Sequence, residues 1–215
     1  MIAKNLVLNK ARRLKLPLRP ISTALQLIDR LSPFFDKHPS LQDSDAFRKS
    51  DLISNICLFL GCKFEDVHGH LDKIISSIPN ADLDKILPFE VEIYEFLNFD
   101  FSFFNIYQFA LAVKLQIETD ERAAAMADES KIDWNLIVCS LNKAMLLEFP
   151  KVENYRVYEI ILGSFPLDIQ TFRSFLPLLK NESFDYEKIR KVHNSIKDVK
   201  ILSDEEITEY FNASK

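Results

Sequence analysis

Cys57-Leu58-Phe59-Leu60-Gly61-Cys62-Lys63-Phe64-Glu65-Asp66 is the stretch that decides how this chain folds. The unbroken apolar run at residues 56–60 covers every face of a helix, and a helix apolar all round belongs in the middle of a core. Charge begins abruptly at Lys63. A cation at a helix C-terminus is favoured by the negative end of the helix dipole. Lys63 therefore leaves the core on a rigid mount, which is how a binding residue is held in one geometry.

The rest of the chain must supply helices to surround this one, and its periodicity does so. Ile53, Ile56, Cys57 and Leu60 carry the central stripe, with Ser50 or Asp51 expected as its cap. Upstream, Ile21, Ala24, Leu25, Ile28 and Leu31 follow Pro20, a residue at home in a helix's first turn. Downstream, Ile86, Phe89, Ile93, Phe96 and Leu97 form another stripe with glutamates outside it. Phe89-Glu90-Val91-Glu92-Ile93 also alternates like a strand, but the helical spacing through Ile86 and Leu97 decides for helix. Phe99-Asp100-Phe101-Ser102-Phe103 reads as an extended linker with buried aromatics, near the middle of the chain.

Further stripes follow the linker. They are Ile106, Phe109, Ala110 and Val113; Trp134, Ile137, Val138, Leu141 and Met145; and Tyr155, Tyr158, Leu162 and Phe165. Ile169, Phe172, Leu176 and Leu179, then Ile189, Val192, Ile196 and Val199, complete the series. Residues 119–131 read as a charged surface connection. The expectation is an all-α protein of two five-helix halves, residues 1–101 and 102–215.

Composition narrows the chemistry. Hydrophobic residues make up 47% of the 215 residues, so the chain is globular. The only glycines are Gly61, Gly69 and Gly163, spaced too widely for a Walker loop or a dinucleotide fingerprint. There is no His-Glu-x-x-His and no Gly-x-Ser-x-Gly, and the pattern implies no catalytic residue, no cofactor and no metal. His68-Gly69-His70 is expected in a loop, since no zinc-like spacing supports it as a ligand pair. Cys57, Cys62 and Cys139 read as buried reduced thiols of an intracellular protein. No stretch is long or apolar enough to span a bilayer, so no membrane role is expected.

Net charge is −5, which argues against a general nucleic-acid binder. Lys4, Lys10, Arg12, Arg13, Lys15 and Arg19 nevertheless all precede the first acid, Asp29. Of these, Lys10, Arg12, Arg13 and Lys15 are expected on the first helix, where they meet solvent or a protein partner. Glu118-Asp120-Glu121 and Asp204-Glu205-Glu206 read as solvated helix faces.

The motifs then fall in a familiar order. Leu14-Lys15-Leu16-Pro17, followed by Ile21-Ser22-Thr23-Ala24 and Asp29-Arg30-Leu31, resembles the first two helices of the cyclin box. The run from Cys57 to Asp66 resembles its third, central helix, closed by a lysine and an acidic pair. Glu90-x-x-Ile93 through Leu97-Asn98-Phe99-Asp100-Phe101 resembles the fifth helix and the linker after it, and Tyr107 the aromatic that opens the second repeat. Asp133-Trp134-Asn135, Ser140-Leu141 and Leu146-Leu147-Glu148-Phe149-Pro150 are similar to the second repeat of transcription-type cyclins, the T, K, L and C/H groups.

The resemblance implies two consecutive cyclin-box repeats and a regulatory subunit that binds and activates a cyclin-dependent kinase. It favours a kinase acting on the C-terminal repeats of RNA polymerase II, in the nucleus and also the cytoplasm, with room for a third subunit. It implies that Lys63 and Glu90 hydrogen-bond the kinase backbone, while Phe64, Tyr94, Phe99 and Phe101 pack against the kinase's regulatory helix. Lys63 and Glu90 should lie close in space as exposed charges. The alternative is an adaptor of the same fold without kinase activation, as in transcription factor IIB or retinoblastoma-type pockets.

The chain also departs from the family. It begins inside the first helix of the box, and it has no Met-Arg-x-Ile-Leu motif, so no docking groove for Arg-x-Leu substrates is expected. Residues 39–49 are longer and more polar than the usual turn. Glu153-Asn154-Tyr155-Arg156-Val157-Tyr158-Glu159 replaces an alanine-rich helix, which marks the second repeat as divergent.

Overall fold

Residues 52–62 are buried without exception, so the central helix is enclosed on every face as its apolar run requires. The computed structural model describes residues 1–42, 45–78, 80–119, 133–147, 157–165 and 185–213. Among these there are ten α-helices and no strand. They are α1 (Ile2–Leu14), α2 (Leu18–Lys37), α3 (Ala46–Phe64), α4 (His68–Ser77), α5 (Asn80–Phe96), α6 (Ile106–Thr119), α7 (Trp134–Leu146), α8 (Val157–Gly163), α9 (Tyr186–Lys197) and α10 (Asp204–Ala213). The all-α expectation therefore stands, and residues 89–93 are helical. The 119–131 connection beyond Thr119, the Glu148-Phe149-Pro150 part of the second-half motif, residues 153–156 and the stripe from Ile169 to Leu179 lie outside the described residues.

The chain divides into two units, Met1–Asn105 with Leu202–Lys215, and Ile106–Ile201. In the first, α1, α2, α4 and α5 all pack on α3. Ile56, Leu58 and Leu60 of α3 are almost wholly withdrawn from solvent, each stabilising the fold by about 1.5–3 kcal/mol through burial. Gly61 lets α2 approach: a Cβ there would stand 2.7 Å from the Pro20 carbonyl oxygen and 3.2 Å from the Ala24 nitrogen. Gly61→Ala should therefore destabilise the chain by about 1–3 kcal/mol despite alanine's better helix propensity. Gly69→Ala in α4, where nothing lies within 4 Å, should be neutral or stabilising. Urea unfolding midpoints of the two variants compare them directly.

Several local expectations are corrected. The cap of α3 is Asp45, whose carboxylate accepts from the Phe47 and Arg48 N–H groups, so the helix starts before Ser50 and Asp51. Residues 39–41 form a 3-10 turn and residues 46–49 belong to α3, which shortens the polar loop. His68-Gly69-His70 opens α4 rather than lying in a loop. Cys139 is exposed, unlike Cys57 and Cys62.

The basic N-terminus splits into two sets. Lys4 is buried against Asp29 at 2.7 Å, and Lys10 is buried against Asp51 at 2.6 Å and Ser54 Oγ at 2.7 Å. Only Arg12, Arg13, Lys15 and Arg19 remain at the surface. Lys10, expected to face solvent or a partner, is thus an internal tie between helices, as is Lys4.

The last helix belongs to the first unit, whereas the sequence pattern assigned it to the second half. Asn5 Oδ1 accepts from the Leu202 N–H at 2.9 Å, and Asn9 Nδ2 donates to the Leu202 carbonyl at 2.8 Å. Ile207 is fully buried, and Phe211 meets Phe47 edge to face at 5.3 Å. The Asp204-Glu205-Glu206 cluster lies in the first turn of α10, where the helix dipole favours acids. Ser203 and Glu206 close a capping box there, each accepting from the other's N–H at 3.2 and 3.0 Å.

In the second unit, α7, α8 and α9 share a core of Ala144, Ile160, Val192 and Ile196. Asp133 and Asp185 cap α7 and α9. Tyr107, buried in α6, donates its hydroxyl to Asn142 Oδ1, and Phe109 packs on Tyr158 at 4.9 Å between ring centres.

Candidate functional site

The ends of α3 and α5 converge in the first unit, and they bring the singled-out residues together. Glu90 projects from the middle of α5, and its buried carboxylate accepts from the Lys63 ammonium, 27 positions earlier. The Tyr94 hydroxyl, one turn further along α5, donates to the same oxygen, Oε1. Burial first, and the neighbouring carboxylate second, push the Tyr94 phenol above its ordinary range, so it stays a neutral donor to Glu90. The expectation that Lys63 and Glu90 meet is met in this geometry. The expectation that both are exposed charges needs correction: Glu90 is buried, and Lys63 is half-buried with its ammonium over the Phe59 ring.

The aromatic residues form a shelf beside this pair. Phe64 stacks on Phe101 at 4.6 Å and on Phe103 at 5.7 Å, while Tyr94 meets Phe101 edge-on at 5.0 Å. These are the offset-stacked and edge-to-face separations that aromatic quadrupoles favour. Phe99 lies against both Tyr94 and Phe101, yet it is 65% exposed, and Phe101 is 37% exposed. Ordinary core packing does not describe side chains this open.

The backbone at the end of α5 explains how the shelf is presented. Asn98 and Phe99 both have left-handed φ, 50° and 56°. The Phe99 N–H returns to the Tyr94 carbonyl at 2.9 Å, closing the helix in a Schellman-like turn. A phenylalanine in that conformation is strained by about 1–3 kcal/mol, and such strain persists where surrounding structure imposes it. Beyond the turn, Phe99 packs on Tyr94 of α5, and Phe101 on Tyr94 and on Phe64, the last residue of α3.

The sequence named Glu65 and Arg19 but gave no sign that they meet. Glu65, next to Phe64, pairs with Arg19 and accepts from the Thr23 hydroxyl, tying the shelf's edge to α2. Phe103 was read only as linker. No family model, curated protein or solved structure is significantly similar to this chain.

A half-buried ammonium keeps donors beyond the one given to Glu90, and Glu90 Oε2 takes neither of the two donors that meet Oε1. The Phe59 ring lies 5.5 Å from the Lys63 ammonium, and Tyr94, which bonds Glu90, packs on Phe64 and Phe101. Burial raises the thiols of Cys57 and Cys62, the latter to about 11, so both are held protonated inside α3. Among the described residues, no group of three or more His, Cys, Asp and Glu side chains gathers as metal ligands would.

Proposed function

We propose that this chain is a cyclin-type regulatory subunit that binds and activates a cyclin-dependent kinase. The observation that carries the reading is the Lys63–Glu90 pair, buried on the Glu90 side and joined through Tyr94 to the exposed ring of Phe99. The ammonium's remaining N–H groups suit a backbone carbonyl of the partner, and the second carboxylate oxygen suits a backbone N–H. Phe64, Tyr94, Phe99 and Phe101 offer apolar area against a partner helix. A central charged pair that fixes orientation, ringed by aromatics that exclude water, is the pattern of a binding hot spot.

Activation then works by population shift. Contacts made only with the kinase's active conformation draw its equilibrium toward that conformation. The second-half motifs Asp133-Trp134-Asn135 and Ser140-Leu141 favour a nuclear kinase of the transcription machinery, with the RNA polymerase II repeats as substrate. Pull-down with the chain from native extract, followed by mass spectrometry, should recover a kinase catalytic subunit in stoichiometric amount. Recovery of general transcription factors without a kinase would put an adaptor in its place.

A further inference from the structure

Three polar side chains on α2 grip the segment that carries the aromatic shelf. Ser22, Gln26 and Arg30 are spaced four apart, which sets them in one row along the helix. The Gln26 amide pairs with the backbone of Phe104 as a neighbouring strand would: Nε2 donates to the carbonyl at 2.7 Å, and Oε1 accepts from the N–H at 3.2 Å. Ser22 Oγ donates to the same carbonyl at 3.1 Å. Arg30 reaches the Asp100 and Ser102 carbonyls at 3.1 and 3.3 Å, and the Asp100 carboxylate at 3.1 Å. Its guanidinium also lies 5.1 Å from the centre of the Phe103 ring.

Extended backbone needs partners for its polar groups, and here helix side chains supply several of them. Exposed rings on a loose loop would rearrange to bury themselves. With its backbone pinned on α2, the segment holds Phe101 and Phe103 stacked on Phe64 and leaves Phe99 outward. None of the three α2 residues belongs to the shelf itself.

We propose that Ser22, Gln26 and Arg30 are positioning residues that preorganise the aromatic shelf for its partner. The inference rests on the shelf being the kinase-binding surface. Preorganisation raises affinity by removing the ordering a loop would otherwise undergo on binding. The three residues thus tune affinity without touching the partner.

The test separates the ladder from the surface. With 4-fluorophenylalanine incorporated at position 101, the 19F resonance reports stacking on Phe64 through the ring current. The wild-type ladder should give one displaced line. Gln26→Ala with Arg30→Ala should move it to the position of the free amino acid, and Arg30→Lys alone should leave it intermediate. Urea midpoints should stay near wild type, because these side chains are partly solvent-exposed and lie outside the α3 core. The double variant should bind the kinase catalytic subunit recovered by pull-down about tenfold more weakly or worse, with Arg30→Lys between the two. A line that stays displaced in the double variant overturns the ladder and leaves the surface reading intact. A collapsed line with unchanged kinase affinity overturns the positioning role, and the surface reading with it.

Discussion

Lys10→Met should lower the free energy of unfolding by about 3–5 kcal/mol, a loss readable as a large fall in the urea midpoint. Lys10 is buried between α1 and α3, where it meets the Asp51 carboxylate, the Asp51 carbonyl, Ser54 Oγ and Asn55 Oδ1. Removing the ammonium leaves the Asp51 carboxylate without its cation and Asn55 Oδ1 without this donor, in a site closed to most water. Arg12→Ala, two positions on but exposed, should change stability by no more than about 0.5 kcal/mol. Charge alone would make the two alike; burial makes them differ.

Burial also lowers the Lys10 pKa from 10.5, against the opposing pull of Asp51. Between the lowered value and 10.5 the unfolded chain binds more protons at this residue than the folded one. Its contribution therefore makes stability rise with pH in that window, and it is flat below. The difference between wild type and Lys10→Met, followed by denaturation across the alkaline range, should carry that slope.

The second large effect is on binding. Lys63→Ala and Glu90→Ala should each weaken kinase binding by about 2–5 kcal/mol, roughly 30- to 4,000-fold. Their effects on the free chain differ. Glu90→Ala leaves the Tyr94 hydroxyl and the Lys63 ammonium without their shared acceptor, so it should also destabilise the fold by about 1–3 kcal/mol. Lys63→Ala should cost less, because the lysine is half open to water. Glu90→Gln keeps an acceptor oxygen while removing the charge, and should recover most of the stability but not the affinity.

Much of this was legible in the residues. The unbroken apolar run at 56–60 demanded a buried central helix, and α3 is one. Spacing decided residues 89–93 for helix because Ile86, Ile93 and Leu97 needed one buried face, and all three are buried. Less legible was anything set by partners distant in sequence. Lys10 reads as a surface cation until Asp51, Ser54 and Asn55 are known to face it. The return of residues 202–213 to α1 depends on Asn5 and Asn9, which carry no hydrophobic pattern. Its local signal was present, since Ser203 and Glu206 have capping-box spacing. At the candidate site, the helix end pointed to Lys63, while Glu90 and the rings were named only through the resemblance to the cyclin box. The left-handed turn has a signature only at Asn98, since asparagine tolerates that conformation at a helix end; Phe99, left-handed beside it, has none.

The most direct measurement is turnover of the purified kinase catalytic subunit on a polymerase-repeat peptide, with the chain absent, present, or present as the Lys63→Ala, Glu90→Ala double variant. Wild-type chain should raise turnover on the order of 100-fold, the gain from taking an active conformation from about 1% to about 99% of the population. The double variant should restore little of it at the same concentration. Turnover that stays at the level of the kinase alone, with wild-type chain demonstrably bound, would contradict a role in activation.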